Sequence, residues 1–396
     1  MPREHTVSSY EEARTVFRCK DLRQALYDES EVVMADVLVN LHGIQHRDRR
    51  RLENRLFRRD THELYERDRF PPVVASTIAP HVAAGRAELV SLSHQMMMNL
   101  AASTAGIDRP LGTAEETDRL YGYMMRFIEG ATLAHYAGDR DARRAEVHEA
   151  LAAFDREFLR PSIERRRSLL EGSETALPPD VLSVLLRNQD DLELPPDVVL
   201  RETCFFLLAG AHTSATAFVR TLDAVFGLGA DAIAHASEDL TFLQRCVHET
   251  VRLHPSSPVA MRRATTDVDL AGGRHVAEGD TVVIDLVAAN CDPEVFGEGA
   301  ERFDPGRELA PGVAPWGLSF GLGMHACIGQ DLAAGTVPDP ATPEPDHLHG
   351  LVPVAAQALL RAGGRPDPDQ RPVLDPDSAR GYWASYPVVF GGVRAR

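Results

Sequence analysis

The sequence has only five cysteines in 396 residues, and none of them forms a Cys-x-x-Cys pair. Scattered cysteines in an odd number argue against a disulfide framework and against a cysteine-rich zinc site, and they fit a reducing cytoplasm. The longest apolar run near the middle of the chain extends only from Cys204 to Ala211, whereas a helix that crosses a bilayer needs about 20 apolar residues. The charged amino terminus resembles neither a signal peptide nor a membrane anchor. We therefore expect a cytoplasmic protein that makes no membrane contact.

Positive charge is also scarce. Lysine and arginine together number 42 against 59 aspartates and glutamates, and the formal net charge is −17. Such an acidic chain is not expected to bind nucleic acid or anionic membranes. With 44% hydrophobic and 26% charged residues, the composition is that of a soluble globular protein with a substantial core.

Apolar residues recur at intervals of three and four over the first two thirds of the chain, a spacing that predicts amphipathic helices. The predicted helices cover 9–26, 46–57, 86–102, 196–227 and 240–253. The Pro195-Pro196 pair marks the start of the fourth of these, and Pro255 ends the fifth.

Beyond Pro258 the pattern becomes β-like, with short apolar runs at 268–270 and 281–288 and an apparent hairpin at 382–390. Residues 292–323 are irregular, and 363–377 predict a surface loop. Four prolines make 336–346 an insertion that no helix interior tolerates. Because there is no repeat and no clean linker, we predict a single, mainly α domain with small β-sheets over 1–396.

The strongest local signal is the stretch from Phe320 to Gly329, which reads Phe-Gly-Leu-Gly-Met-His-Ala-Cys-Ile-Gly. It matches the pattern F-x-x-G-x-x-x-C-x-G, and composition alone predicts such a match on the order of 0.001 times in a chain of this length. The alternative is a buried structural cysteine in a glycine-rich turn. The pattern resembles the cysteine loop of the cytochrome P450 family, in its soluble bacterial type.

The resemblance implies a prism of helices around a buried haem b, with Cys327 as the thiolate ligand of the iron. A thiolate that pushes electron density onto iron must be shielded and held by backbone donors, and glycines let the backbone approach the sulfur. Phe320 would pack beside the sulfur, with Gly321 and Gly329 completing the loop. The family usually has several dozen further residues before the segment 9–26, so the resemblance implies either a shortened amino-terminal region or a misplaced start of the sequence.

Glu249 and Arg252 supply the family's E-x-x-R motif, since a spacing of three places both side chains on one helix face. Arg302, in the sequence Glu301-Arg302-Phe303, is matched to the third member of the family's buried Glu–Arg–Arg cluster.

The segment from Ala209 to Thr213 is similar to the family's oxygen-activation motif, A-G-x-acid-T. In the family, the threonine hydroxyl helps to open a groove for O2 and water in the helix, and Thr213 takes that role here. His212 replaces the usual acid, as in the family's sterol demethylases. The expected catalytic pair is therefore Thr213 and His212, with Ala209 against the haem.

The haem propionates need cations, and four residues match the family's positions for them. These are His46, Arg50, Arg262 and His325. On the helix that carries His46, four arginines fall on another face, which would attract an acidic ferredoxin; a merely solvated face is the alternative. These are Arg47, Arg51, Arg55 and Arg58.

The resemblance implies monooxygenation of a small hydrophobic molecule, with electrons from a ferredoxin and its reductase or a similar donor. The residues expected to line the substrate pocket are mostly apolar. They are Phe205, Leu208, Pro258, Val259, Tyr382 and Trp383. Two alternatives remain open, namely a haem-thiolate enzyme that is not a monooxygenase (peroxide-driven, dehydratase or isomerase) and a noncatalytic member that binds a partner.

Overall fold

The computed structural model describes residues 2–133, 136, 138–172, 177–270, 273–337, 346–376 and 381–391. The helices, in chain order, are α1 (Tyr10–Arg18), α2 (Glu31–Met34), α3 (Gly43–Glu53), α4 (Arg59–Leu64), α5 (Phe70–Ala84), α6 (Leu89–Ala105), α7 (Ala114–Ala131), α8 (Arg140–Phe154), α9 (Arg160–Gly172), α10 (Val181–Arg187), α11 (Pro196–Gly227), α12 (Ala230–Glu238), α13 (Leu240–Leu253), α14 (Leu286–Asn290), α15 (Pro293–Phe296), α16 (Gln330–Ala334) and α17 (Leu351–Arg361). The strands are β1 (Glu4–Val7), β2 (Leu22–Gln24), β3 (Arg86–Glu88), β4 (Val259–Ala264), β5 (Val268–Leu270), β6 (Arg274–Val276), β7 (Thr281–Asp285), β8 (Gly364–Pro366), β9 (Val373–Leu374), β10 (Trp383–Ser385) and β11 (Pro387–Phe390). The predicted fold class, mainly α with small sheets, is confirmed.

The chain divides into two compact units. The sheet unit comprises Met1–Arg23, His62–Met96 and Thr213–Arg396, and the helical unit comprises Gln24–Thr61 and Met97–His212. The single domain expected over 1–396 stays a prediction.

The sheet unit contains a four-stranded sheet in the order β1-β7-β4-β2. Strand β1 runs parallel to β7, whereas β4 runs antiparallel to it with Arg262 opposite Val282. Helix α1 covers this sheet, and Val7, Val16 and Ile284 are fully buried in the shared core. A three-stranded sheet, β3-β11-β8, and the pairs β5-β6 and β9-β10 complete the β structure of the described residues.

The helices with the clearest end signals lie where the sequence predicts them. Helix α13 spans 240–253: the Asp239 carboxylate accepts a hydrogen bond from the N–H of Phe242, and the helix ends before Pro255. Helix α11 begins at Pro196, a residue whose missing N–H is harmless in a first turn.

Several segments differ from the prediction. Residues 86–88 of the predicted helix 86–102 form β3, and residues 286–288 of the predicted β-like run 281–288 belong to α14. The segment 9–26 is helical only to Arg18, because residues 22–24 pair with the sheet as β2. The segment 363–377 is not a plain loop, since it contains β8 and β9. The run 382–390 contains two strands that pair with other partners, β10 with β9 and β11 with β3 and β8, instead of forming a hairpin.

The helix that follows Cys327, α16, ends at Ala334, just before the proline-rich segment 336–346. Residues 338–345 lie outside the described residues. On either side of them, the N–H of Thr336 donates to the carbonyl of Leu348 at 2.9 Å. The Gln244 amide donates to the same carbonyl at 3.3 Å and to that of Ala334 at 3.0 Å. These bonds hold the end of α16, at Ala334, close to Leu348, which lies beyond the undescribed residues.

Candidate active site

The cysteine loop of the sheet unit is closed by its own backbone. The N–H of Cys327 donates to the carbonyl of Phe320 at 2.8 Å, and the N–H of Gly321 donates to that of Leu318 at 2.8 Å. Gly323 has φ +69°, and a Cβ there would lie 2.8 Å from the Phe17 carbonyl oxygen. Only glycine fits this approach of the loop to the end of α1.

Cys327 is exposed, whereas the other four cysteines are buried or half-buried. Burial raises the pKa of the Cys204 thiol well above its usual value and raises that of Cys246 to about 12. Without a bound metal ion, both of those thiols stay protonated at neutral pH. Cys327, just before α16, is the one exposed cysteine of the described residues.

Phe320 of the cysteine loop packs against Trp316, which in turn packs against His248. The ring of Phe320 meets Trp316 edge to face at 5.7 Å, and Trp316 meets His248 in the same way at 5.1 Å. The Nε2–H of His248 donates to the carbonyl of Ala334 at 2.8 Å. Burial lowers the pKa of His248 to about 4, so this histidine is a neutral donor. The sequence prediction missed both Trp316 and His248.

The Glu249–Arg252 ion pair is present. Arg252 is fully buried, and its Nε and Nη2 donate to the two Glu249 oxygens at 2.7 and 2.6 Å. Its Nη1 donates to the Asn290 carbonyl at 2.6 Å, which joins α13 to the end of α14. This bidentate geometry is the strong form of a carboxylate–guanidinium contact.

The third member of this cluster is Arg307, and the prediction of Arg302 was wrong. The Arg307 Nε donates to Glu249 at 3.1 Å, and Nη1 donates to the Phe296 carbonyl at 2.8 Å. Arg302 is exposed, with its guanidinium beside Gly299.

Two predicted propionate ligands lie in the sheet unit. Arg262, on β4, is buried with its guanidinium 5.1 Å above the Phe17 ring, and its Nη1 donates to the Met261 carbonyl at 3.0 Å. His325 is half-buried in the short turn Gly323–His325 of the cysteine loop.

Ser256, a residue that the sequence prediction missed, contacts both Thr213 and the predicted pocket residue Tyr382. The Ser256 hydroxyl lies 3.5 Å from the Thr213 carbonyl, and the Tyr382 hydroxyl donates to the Ser256 carbonyl at 2.9 Å. Thr213 itself is exposed on α11. Pro258 accepts from the N–H of Leu286 at 2.9 Å just before β4.

The other predicted site residues lie in the helical unit. On α3, His46 is buried, and burial together with the nearby Arg50 guanidinium lowers the pKa of His46 to about 4. Arg50 Nε donates to Asn54 at 2.9 Å. On α11, Phe205, Ala209 and His212 are half-buried and Leu208 is buried.

The predicted arginine face of α3 and the turn after it is exposed. All four arginines, Arg47, Arg51, Arg55 and Arg58, are exposed. Ile44, at the start of α3, is 68% exposed beside them in the sequence.

Comparison with known proteins places these residues in a family. The family model for cytochrome P450 matches residues 221–336, which include α13 and the cysteine loop. Cyclooctat-9-en-7-ol 5-monooxygenase of Streptomyces melanosporofaciens is 31% identical over 281 residues, covering 61% of this chain and 56% of that protein. Isoflavone 2'-hydroxylase of Medicago truncatula is 29% identical over 199 residues, covering 44% and 38%. These matches identify α13 and the cysteine loop as similar to the cytochrome P450 superfamily.

The cytochrome P450 fold extends over nearly the whole chain. The crystal structure of CalO2 matches with a TM-score of 0.77 at 20% identity, covering 98% of this chain and 90% of that one. P450BioI, solved with an acyl carrier protein, matches at 0.73 and 18% identity, covering 98% and 92%. The curated relatives match less completely, since the chain spans about a quarter to just over half of their lengths.

The match to the cytochrome P450 family implies a haem iron cofactor. The residues present fit that group, because the cysteine loop combines an exposed thiol, backbone closure and glycines at the points of closest approach. Among the described residues, no helix combines the length and the apolar character that spanning a membrane requires.

Proposed function

We propose that this cytochrome P450 is a haem-thiolate monooxygenase that oxidises a small hydrophobic molecule with O2 and electrons from a redox partner. The observation that carries the proposal is the exposed thiol of Cys327 at the end of a closed, glycine-rich loop. The two relatives named above, a monooxygenase and a hydroxylase, support it.

Haem b, held through a cysteine thiolate, supplies the iron at which O2 is activated. The Cys327 sulfur would be the ligand, with Phe320 packed beside it and backbone N–H groups near Gly321 and Gly329 stabilising its negative charge. Arg262 and His325 would hold the propionates. His46, Arg50 and Ala209 keep the haem-contacting roles that the sequence resemblance implies.

Thr213 and His212 would hold and move the protons that the reaction consumes. The exposed Thr213 hydroxyl positions a water molecule, and His212 connects that water to solvent. We expect Thr213→Ala to lower the product formed per electron pair by about 10²-fold, the low end of what a positioned proton donor contributes, and to release hydrogen peroxide instead. We expect His212→Phe to slow turnover and to remove its pH dependence near neutrality, because imidazole titrates there.

Product, hydrogen peroxide and electron use are measured together for each variant with a substrate that is turned over. Ser214→Ala, a hydroxyl deletion at the next residue of α11, is the matched control and is expected to keep wild-type coupling. Wild-type coupling in both Thr213→Ala and His212→Phe would show that this segment does not activate oxygen.

The substrate pocket of the sheet unit would draw on Pro258, Val259, Tyr382 and Trp383. The hydrogen bond from the Tyr382 hydroxyl to the Ser256 carbonyl would hold the segment around Tyr382 against the segment that precedes Pro258. We propose that Phe205 and Leu208 also line this pocket, as the sequence resemblance implies. The mostly apolar set favours a hydrophobic substrate, which a binding-shift screen of small molecules would identify.

Electron delivery would use the arginine face of α3. On a protein of net charge −17, exposed arginines in one place attract an acidic ferredoxin. We expect the double variant Arg51→Glu, Arg55→Glu to be reduced roughly 10-fold more slowly at low ionic strength, and to lose most of the salt dependence of that rate.

The matched control reverses two exposed arginines elsewhere in the helical unit, Arg156 and Arg167, to glutamate. Both double variants change the net charge equally, so a selective effect of the α3 pair identifies the docking face. Equal reduction rates in the two variants would show that this face does not bind the donor.

One turnover experiment separates monooxygenation from the alternatives. The purified protein is supplied with substrate and either O2 with NAD(P)H, ferredoxin and reductase, or hydrogen peroxide alone. We expect product only with the electron donor, carrying one atom of labelled oxygen from O2. Product from peroxide alone, or product without added oxygen, would instead identify a peroxide-driven enzyme or a dehydratase or isomerase.

A further inference from the structure

Two acidic side chains are fully buried in the helical unit, one on α3 and one on α11. Glu53, the last residue of α3, and Glu202, in the second turn of α11, are both 0% exposed. Glu202 accepts hydrogen bonds from Arg49 Nη1 at 2.7 Å and from the N–H of Leu38 at 3.0 Å to each oxygen. The glutamate of α11 is therefore fully satisfied as an ionised acceptor.

Glu53 has no comparable partner. Within the described ranges, neither of its carboxyl oxygens has a hydrogen-bond partner. It lies four residues after Arg49 on α3, and the Arg49 guanidinium donates to Glu202 through Nη1 and not to Glu53. A buried carboxylate without a partner is strongly unfavourable, and a second negative charge near Glu202 increases that cost.

We propose that Glu53 and Glu202 form a proton-binding site in which Glu53 carries one proton, and that loss of this proton loosens α3 from α11. The Arg49 guanidinium then balances the Glu202 carboxylate, and the proton neutralises Glu53. The proton belongs on Glu53, because the hydrogen bonds to Glu202 stabilise its ionised form.

The charged groups around this site come from each neighbouring element. Helix α3 contributes Arg49 and Arg50, both of which favour ionisation of Glu53, while Glu202 of α11 opposes it. The turn Leu38–Asn40 contributes a backbone N–H. Helix α10 also packs on α3, but its flanking Asp180 is paired with Arg166. Its last residue, Arg187, is exposed.

The direction of the pH effect follows from burial. Burial and the Glu202 charge raise the pKa of Glu53 well above its usual value, and burial raises the pKa of Glu202 to about 7. A group whose pKa is raised by folding stabilises the folded state fully below its unfolded value. That stabilisation is lost as the pH rises through the folded value. The helical unit should therefore become less stable between about pH 4.5 and neutral or weakly alkaline pH.

The functional consequence would fall on α3, which carries His46, Arg50 and the arginine face. If ionisation of Glu53 weakens the packing of this helix, alkaline pH should increase the hydrogen exchange of its backbone amides before the rest of the chain unfolds. The effect depends on buried charge alone, so it is independent of whether the protein turns over a substrate.

Glu53→Gln tests the proposal, because glutamine has the shape of a protonated glutamate and cannot ionise. Urea unfolding is measured at about pH 5 and about pH 8, with the protein as purified. We expect the equilibrium constant for unfolding of the wild type, relative to Glu53→Gln, to rise by up to about tenfold per pH unit over this interval. Amide exchange in α3 should become independent of pH in the variant, after correction for the intrinsic exchange rate.

Glu149→Gln is the matched control, since it makes the same chemical change at an exposed position of α8 in the same unit. It should behave like the wild type at both pH values. Infrared spectroscopy provides a second reading, because the carbonyl band of a protonated carboxylic acid should be present near neutral pH and weaker in Glu53→Gln. A wild type that parallels Glu53→Gln at both pH values, or an absent carbonyl band, would overturn the proposal.

Discussion

Cys327→Ser is expected to abolish the thiolate signature of the bound haem. The wild-type protein, reduced and exposed to carbon monoxide, should show the red-shifted Soret band of thiolate ligation, because a negatively charged sulfur donates electron density to the iron. A serine hydroxyl stays protonated at neutral pH and does not replace that donor. We expect complete loss of the red-shifted band and a large fall in the amount of haem that copurifies.

Cys19→Ser is the control for this experiment, since it replaces a half-buried thiol elsewhere in the same unit. It should leave the carbon monoxide spectrum unchanged. A histidine-type band that persists unaltered in Cys327→Ser would contradict the assignment of Cys327 as the iron ligand.

Arg307→Ala is expected to destabilise the protein by about 3–5 kcal/mol, the cost of removing one partner from a buried ion pair. Arg307 binds Glu249 and also donates to the carbonyls of Phe296 and Arg302 at 2.8 Å. Its removal leaves part of the Glu249 charge uncompensated and releases the irregular segment before the cysteine loop. The free energy of unfolding, from urea titration at neutral pH, measures this effect.

Arg302→Ala is the matched control for this experiment. Arg302 lies five residues before Arg307, and of these two arginines only Arg307 forms an ion pair with Glu249. We expect Arg302→Ala to change the free energy of unfolding by no more than about 0.5 kcal/mol, as for most exposed positions. Equal destabilisation by the two variants would mean that Arg307 adds nothing to the buried cluster.

The sequence by itself determined the features that depend on neighbouring residues. Helices α11 and α13 follow from apolar spacing and from proline and capping residues within one or two turns. The cysteine loop and the Glu249–Arg252 pair lie within ten and four consecutive residues, so their patterns were readable without knowledge of the fold. The fold class followed from the same local signals.

Only the tertiary structure decided the pairings between distant segments. The segment 292–323 has no regular period, so nothing local indicated that Arg307, and not Arg302, turns toward Glu249. Residues 383–390 have strand-forming character, but their partners are chosen by long-range contacts, and β10 and β11 therefore join different sheets. In the same way, Glu53 looked like an ordinary charged residue of a polar helix. Its burial beside Glu202, 149 positions later in the chain, arises only when α3 packs against α11.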